Sequence, residues 1–429
     1  MKLLDTRADG FESAFAALLA DQRELSEDVT ATVAAILADV RARGDEALAE
    51  YTARFDRVDL SRTAMAIGPD EVAAARAAVP AEAIEALAFA RDRIAAFHER
   101  QKPQDERFTD ETGAVLGWRW TPLSSVGLYV PGGRAAYPSS VLMNAVPAKV
   151  AGVARIAMVV PTPGGEIAPI VLAAAALAGV DEIWRIGGAQ AVAALAWGTE
   201  TIRPVDKIVG PGNAFVASAK RQVFGTVGID MVAGPSEVVV VADASAAPDV
   251  IAADLLAQAE HDEAAQSILI TDDAPLADAV AAAVEAQLDT LPRRAVAAAS
   301  WRDHGAIVIV RSLEEAAALV DRIAPEHLEL AVADPEALAA RITHAGAIFL
   351  GHDTPEAVGD YVAGPNHVLP TSRSARFSSG LSVLDFMKRT TLLGVGREGL
   401  RALAGPAMTL AAAEGLDAHR LSIARRLGR

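Results

Sequence analysis

Residues 156–190 decide the fold: Ile156-Ala-Met-Val-Val160 opens the stretch, and Ile183-Trp-Arg-Ile186-Gly187-Gly188-Ala189-Gln190 closes it after an Ala-rich run. Each short apolar run passes through a Gly- or Pro-containing loop into a helical segment, near 167–179 and 189–197. Residues 207–209, before Gly210-Pro211-Gly212-Asn213, repeat the pattern. Strand, loop and helix in alternation predict a parallel α/β sheet. Residues 238–241, 267–271, 306–310, 328–332 and 347–350 read as a second set of strands with helices between them, so two sheets are expected. Loops Pro131-Gly132-Gly133 and Gly234-Pro235-Ser236 flank the first set and suggest crossings between an inserted domain, 129–236, and a discontinuous one, 25–128 with 237–380. Residues 26–100 have helical spacing of Ala, Glu, Arg and Leu, with Ser26 placed as a cap. A small N-terminal helical segment, 1–24, precedes them. After about residue 380 the β pattern ends, and 381–429 reads as a helical tail.

Composition bounds what such a fold can do. The 429 residues carry a formal charge of −17, which argues against a nucleic-acid partner because phosphate binding needs a basic surface. With 52% hydrophobic residues the chain can bury a large core. It has no Cys, which removes disulfides, thiolate metal sites and a thiol nucleophile, so any metal needs N and O ligands. The longest apolar run, Ala168 to Val180, is interrupted by Pro169 and Gly179 and is too short to span a membrane. The charged opening residues do not read as a signal peptide. A cytoplasmic protein without membrane contact is expected.

Several loops and polar clusters could carry chemistry. Three glycine loops, at 131–133, 187–190 and 210–213, follow strands, where backbone N–H groups can approach a phosphate; none is G-x-G-x-x-G, and ordinary tight turns explain them as well. Gln258 and His261 are three apart, on one face of a helix, and could share a metal or simply face solvent. Glu326 and His327 stand at the start of a predicted strand, where neighbours point apart and would take separate roles. Imidazole carries protons near neutral pH. His367 lies in the turn-rich Gly364-Pro-Asn-His367-Val-Leu-Pro-Thr371 close after Asp360, while Glu414 and His419 read on their own as exposed polar residues.

Taken in order, eight runs resemble the histidinol dehydrogenase family: Gly127-Leu-Tyr129-Val-Pro-Gly-Gly133, Gly187-Gly-Ala-Gln190, Gly210-Pro-Gly-Asn213-Ala-Phe, Ala233-Gly-Pro-Ser236-Glu, Asp254-Leu-Leu-Ala-Gln258-Ala-Glu-His261, Pro325-Glu326-His327-Leu, Gly359-Asp360-Tyr and Asn366-His367-Val-Leu-Pro-Thr371. The resemblance covers about residues 120–420. It implies two incomplete Rossmann-like domains with helical ends exchanged in a homodimer with shared active sites. It further implies NAD-dependent four-electron oxidation of L-histidinol to L-histidine through bound L-histidinaldehyde, the last step of histidine biosynthesis, with one Zn²⁺ per subunit. By motif matching, Gln258, His261, Asp360 and the partner-donated His419 would hold zinc. Ser236, His327, Asp360, Glu414 and the zinc ligands would surround the substrate, Tyr129, Gln190 and Asn213 would contact NAD, and Glu326 and His327 would be the acid/base pair. The discontinuous domain would then carry most metal and acid/base residues, and the inserted one the NAD contacts.

The chemistry is consistent with these residues. Taking a hydride from an alcohol requires a base for the hydroxyl proton, a role for His327. Without Cys, the aldehyde must be oxidised as its hydrate, with Glu326 activating the water. Zinc, being d¹⁰, would orient the substrate and take no part in electron transfer. The net charge disfavours an anionic cofactor at long range, so Arg134, Lys149, Lys207 or Lys220 is expected to offset it locally. Two rivals remain from the residues alone: a metal-dependent hydrolase that never binds NAD, and a non-catalytic two-domain ligand-binding protein.

Overall fold

A computed structural model describes residues 1–20, 27–132, 136–232 and 234–429. The cap Ser26, the charge of Arg134, and Gly133 and Ala233 of the loop motifs lie outside the described residues, as does the 24/25 boundary.

The described residues form two parallel sheets and one small antiparallel one. The first is ordered Glu182–Trp184, Arg155–Val159, Ser125–Tyr129, Lys207–Val209, Gly228–Ile229. The chain steps outward from Ser125–Tyr129 in one direction and then crosses to its other side. Between Ser125–Tyr129 and Lys207–Val209 the strand order therefore reverses, the place where open α/β sheets bind ligands at their carboxyl ends. The second sheet is ordered Lys2–Asp5, Ala306–Ile309, Gln266–Thr271, Glu237–Ala242, His327–Ala331, Ala347–Leu350. All residues of Glu237–Ala242 and Gln266–Thr271 are buried, which explains their unbroken apolar runs. Both strand sets lie where the residues place them.

Three expectations about the chain's ends and grouping are corrected. The segment 1–24 is not only helical, because Lys2–Asp5 pairs in parallel with Ala306–Ile309 while Phe11, Phe15 and Leu18 of the next helix pack beneath the second sheet. Helices between residues 27 and 99 pack on the first sheet and not on the second; the last of them also touches 237–380, where Arg93 donates to the Val362 and Ala363 carbonyls. Val33, Ile36, Leu37 and Val40 join Val192 and Leu195 on one face, and Leu87 and Ile94 join Leu142 and Leu128 on the other. An amphipathic pattern shows that a helix has a buried face, not which sheet covers it. The third correction is in the tail: Met387–Val395 is a strand, paired antiparallel along its length with Ala114–Pro122. No residue of it is fully buried, so it lacks the apolar alternation that identifies a strand from sequence.

Candidate functional site

A cleft of about 1070 Å³ lies between the two parallel sheets. The first sheet presents its carboxyl edge through Pro131, Gly132 and the 210–213 loop. The second presents its amino edge through Ser236, Glu237, Glu326 and His327. Helices following the second sheet's strands run back to the same edge, so Gln258, His261 and Asp360 arrive at their ends.

The metal-competent groups are preformed. Gln258 is 1% exposed, and both its amide atoms find no hydrogen-bond partner among the described residues. A buried amide left so is costly unless something else takes its lone pair. Burial pushes the His261 imidazole down, partly opposed by the Asp360 carboxylate, so the ring is neutral and can ligate. Burial also pushes Asp360 up, but His327, His367 and His261 outweigh it and hold the carboxyl below its usual range. The donor set thus fits a divalent ion. Asp360 also belongs to a second cluster, with His327 and Glu356, whose ligand atoms lie within 4.8 Å of one another.

His327 is ringed by oxygen. Its Nδ1 lies 3.2 Å from the Glu237 carbonyl, 3.4 Å from Glu356 Oε1 and 3.7 Å from Glu326 Oε2, while Nε2 faces Asp360 Oδ1 at 3.6 Å. Burial lowers its pKa, yet Glu356, Glu326 and Asp360 together raise it well above the usual histidine value. Glu326 accepts from the Glu237 N–H at 2.9 Å, and burial pushes it up to about 7 despite the pull of His327. Glu326 and His327 come closer than alternation along a strand implies, because Glu326 precedes the strand and its side chain turns back to that N–H.

The remaining expected residues divide. Ser236 and Asn213 line the cleft. Asn213 Oδ1 caps the helix Ala214–Val223 by accepting from Phe215 and Val216 N–H groups, which leaves its amide NH₂ for a ligand. Tyr129 and Gln190 are buried under the loops outside the cleft wall; Tyr129 Oη accepts from Gly188 N–H at 3.0 Å, and burial pushes its phenol up to about 12. Glu414 and His419 are exposed on the C-terminal helices and do not join the cleft of their own chain. Nor do the expected cations stand free: Lys149 pairs with Asp181 at 2.8 Å, Lys207 with Asp385 at 3.0 Å, and Lys220 with Asp230. His367 lines the cleft, its Nδ1 3.0 Å from the Asp360 carbonyl.

Sequence reasoning missed Glu356 and Glu329, both buried beside His327. The only available signal was the i, i+4 spacing of Glu356 and Asp360 in a short helix.

The sequence pattern of the histidinol dehydrogenase family matches residues 19–427. The chain belongs to the histidinol dehydrogenase family. It is similar to the histidinol dehydrogenase of Cereibacter sphaeroides, 65% identical over 428 residues that cover 100% of this chain and 99% of the relative. Its likeness to that of Rhodospirillum rubrum is 67% over 427 residues, 99% of this chain and 98% of the relative. The crystal structure of histidinol dehydrogenase from Elizabethkingia anophelis superposes with a TM-score of 0.95 at 37% identity, covering 100% of this chain and 98% of that one. Family membership makes the chain an oxidoreductase acting on a small molecule, and the two-sheet architecture is that of the family. Among the described residues, no helix is long and apolar enough to cross a membrane.

Proposed function

We propose that this chain oxidises L-histidinol to L-histidine in two NAD-dependent steps through bound L-histidinaldehyde, the last step of histidine biosynthesis, in the cytoplasm. The observation that carries the reading is one cleft in which Gln258, His261, Asp360, Glu326 and His327, all on the second sheet's side, face the loops at the switch point of the first sheet. Zn²⁺ fits the first three. When bound it would supply a fixed positive charge that orients the imidazole and amine of the substrate. The fourth ligand, His419, and the substrate contact Glu414 are exposed and outside their own cleft, which supports donation to the partner subunit of a homodimer. NAD fits the 131–132 and 210–213 loops, with Asn213 at the wall and Tyr129 and Gln190 behind them.

His327 takes the hydroxyl proton on Nε2 as the hydride leaves the same carbon, with its electron pair, for NAD⁺. With a metal held by Asp360, part of the carboxylate field around the ring would be offset, leaving the imidazole neutral between turnovers. Glu326 then takes a proton from water as its oxygen bonds to the aldehyde carbon, and the hydrate forms. The hydrate gives up a second hydride to a second NAD⁺, and His327, having released its first proton to solvent, accepts the second hydroxyl proton. A carboxyl held near 7 is matched to proton transfer at neutral pH. The test is NADH counted per limiting L-histidinol, with zinc supplied and with chelator. About two NADH, lost on chelation, is the expected result; one, with aldehyde released, or none, overturns the reading.

A further inference from the structure

Two elements of regular geometry bracket the His327 ring. Strand alternation puts His327 and Glu329 on the same face of His327–Ala331, and helix periodicity puts Glu356 and Asp360 on the same face of Glu356–Tyr361. Glu329 Oε1 accepts from the first N–H of that helix, on Glu356, at 2.6 Å in a buried setting. This bond fixes the helix start over the strand. In consequence one helix places a carboxylate at each ring nitrogen, Glu356 Oε1 at 3.4 Å from Nδ1 and Asp360 Oδ1 at 3.6 Å from Nε2.

The two nitrogens are not equivalent. A carbonyl oxygen only accepts, so the 3.2 Å approach of Nδ1 to the Glu237 carbonyl requires the proton on Nδ1. Glu356 adds a second acceptor on the same side, and its other oxygen, Oε2, is buried with no hydrogen-bond partner among the described residues. A buried carboxyl placed against one imidazole nitrogen serves that imidazole.

We propose that Glu356 is a positioning residue for His327: with the Glu237 carbonyl it holds the proton on Nδ1 and the ring in plane, so that the Nε2 lone pair faces the substrate. The proposal rests on His327 being the base of the proposed reaction. Glu329 acts one step further back, by holding the backbone from which Glu356 projects.

The test is Glu356→Gln in the full-length, zinc-loaded enzyme, which keeps the side chain's length and removes the carboxylate. The expected result is a fall in kcat of about 10- to 100-fold, with the histidinol KM, zinc content and Tm unchanged. Glu356→Asp should recover part of the loss. In histidine-labelled protein, ¹⁵N NMR should show the Nδ1–H tautomer of His327 dominant in the parent enzyme and depleted in Glu356→Gln. Wild-type kcat with an unchanged tautomer overturns the proposal, as does a loss of kcat that follows loss of zinc or of Tm. If Glu356→Gln does not fold, the same measurements on Glu356→Asp decide, and an unchanged kcat overturns it. The tautomer measurement needs no turnover, so a failed base assignment, seen as full activity in His327→Asn, is separable from a failed role for Glu356.

Discussion

Lys220 and Asp230 form an ion pair under the 210–213 loop, with their side chains 2% and 1% exposed. Lys220 Nζ donates to the Gly210 carbonyl at 3.0 Å, while Asp230 accepts from Gly210 N–H at 2.8 Å and from Met231 N–H at 2.6 Å. The pair thus grips both polar groups of Gly210, whose φ of +110° leaves no room for a Cβ beside the Tyr129 carbonyl. Lys220→Met keeps the stem and removes the charge, leaving the Asp230 carboxylate uncompensated in the interior. Breaking a buried pair in this way costs about 3–5 kcal/mol, and the two N–H donors retained by Asp230 put this case near the lower end, about 3 kcal/mol. Neutralising both partners removes the isolated charge, so Lys220→Met with Asp230→Asn should be less destabilised than the sum of the single variants by about 1–3 kcal/mol. Urea unfolding of the four proteins measures this cycle, and NAD titration of each reports the loop, with weaker NAD binding expected in both single variants. Single variants each losing less than about 1 kcal/mol, or strictly additive losses, would refute the reasoning.

Other outcomes follow from the site. As the proposed base Glu326 would work only when ionised, so the single-turnover aldehyde step should fall about tenfold per pH unit below about 7. A rate flat down to about pH 5 would mean an ordinary, unburied carboxyl. Glu326→Gln should keep zinc, block mainly the aldehyde step and accumulate histidinaldehyde. Because burial raises this carboxyl on folding, its ionisation costs stability as pH rises through about 7. The same variant should therefore gain about 2–4 kcal/mol over the parent at pH 8 and nothing at pH 4, measured by urea unfolding. His261→Asn should lose zinc and activity in parallel by metal analysis, and activity lost with full zinc retained would remove His261 from the ligand set. Mixing His419→Ala with His261→Ala subunits should restore activity in verified heterodimers, since one intact shared site forms; no recovery counts against donation of His419.

How much of this was legible varies with what each residue's environment imposes on its type. Strands Glu237–Ala242 and Gln266–Thr271 are covered on both faces, so Val238–Ala242 and Ile268–Ile270 run apolar without a break and the sequence reads as β. Met387–Val395 has an exposed face throughout, and its Thr and Lys positions carry no trace of the pairing with Ala114–Pro122. The helices of 27–99 could be recognised but not assigned to a sheet, because Ile36 or Leu87 looks the same whichever core it enters. At the site, the loops after strands and the Glu326-His327 pair stood out by residue type. Gln258 was open from its spacing to His261, as a metal pair or a solvated face, and only the resemblance decided it; His419 gained meaning from the resemblance alone, since an exposed imidazole is common in surfaces. Lys220 pointed the wrong way: its charge suggested an anion site, whereas the fold brings Asp230 to it from ten residues downstream.

The opposed use of the two sheets explains why the proposed acid/base and nucleotide residues are separate in sequence yet share a cleft. In the first sheet the reversal of strand order opens the carboxyl edge, where loop N–H groups and the helix capped by Asn213 favour an anionic ligand. In the second sheet the reversal, between Glu237–Ala242 and His327–Ala331, is used at the amino edge. There the returning helices end, and a helix C-terminus favours positive charge, suiting it to a cation and not to a phosphate. Gln258 and His261 at the end of Pro248–Ala259, and Asp360 near the end of Glu356–Tyr361, are where such helices deliver their side chains. A single sheet has both kinds of edge, but at its opposite ends. Two sheets facing with opposite edges line one cleft with a wall suited to an anion and a wall suited to a cation, the arrangement that the proposed hydride transfer from a metal-oriented alcohol to a dinucleotide requires.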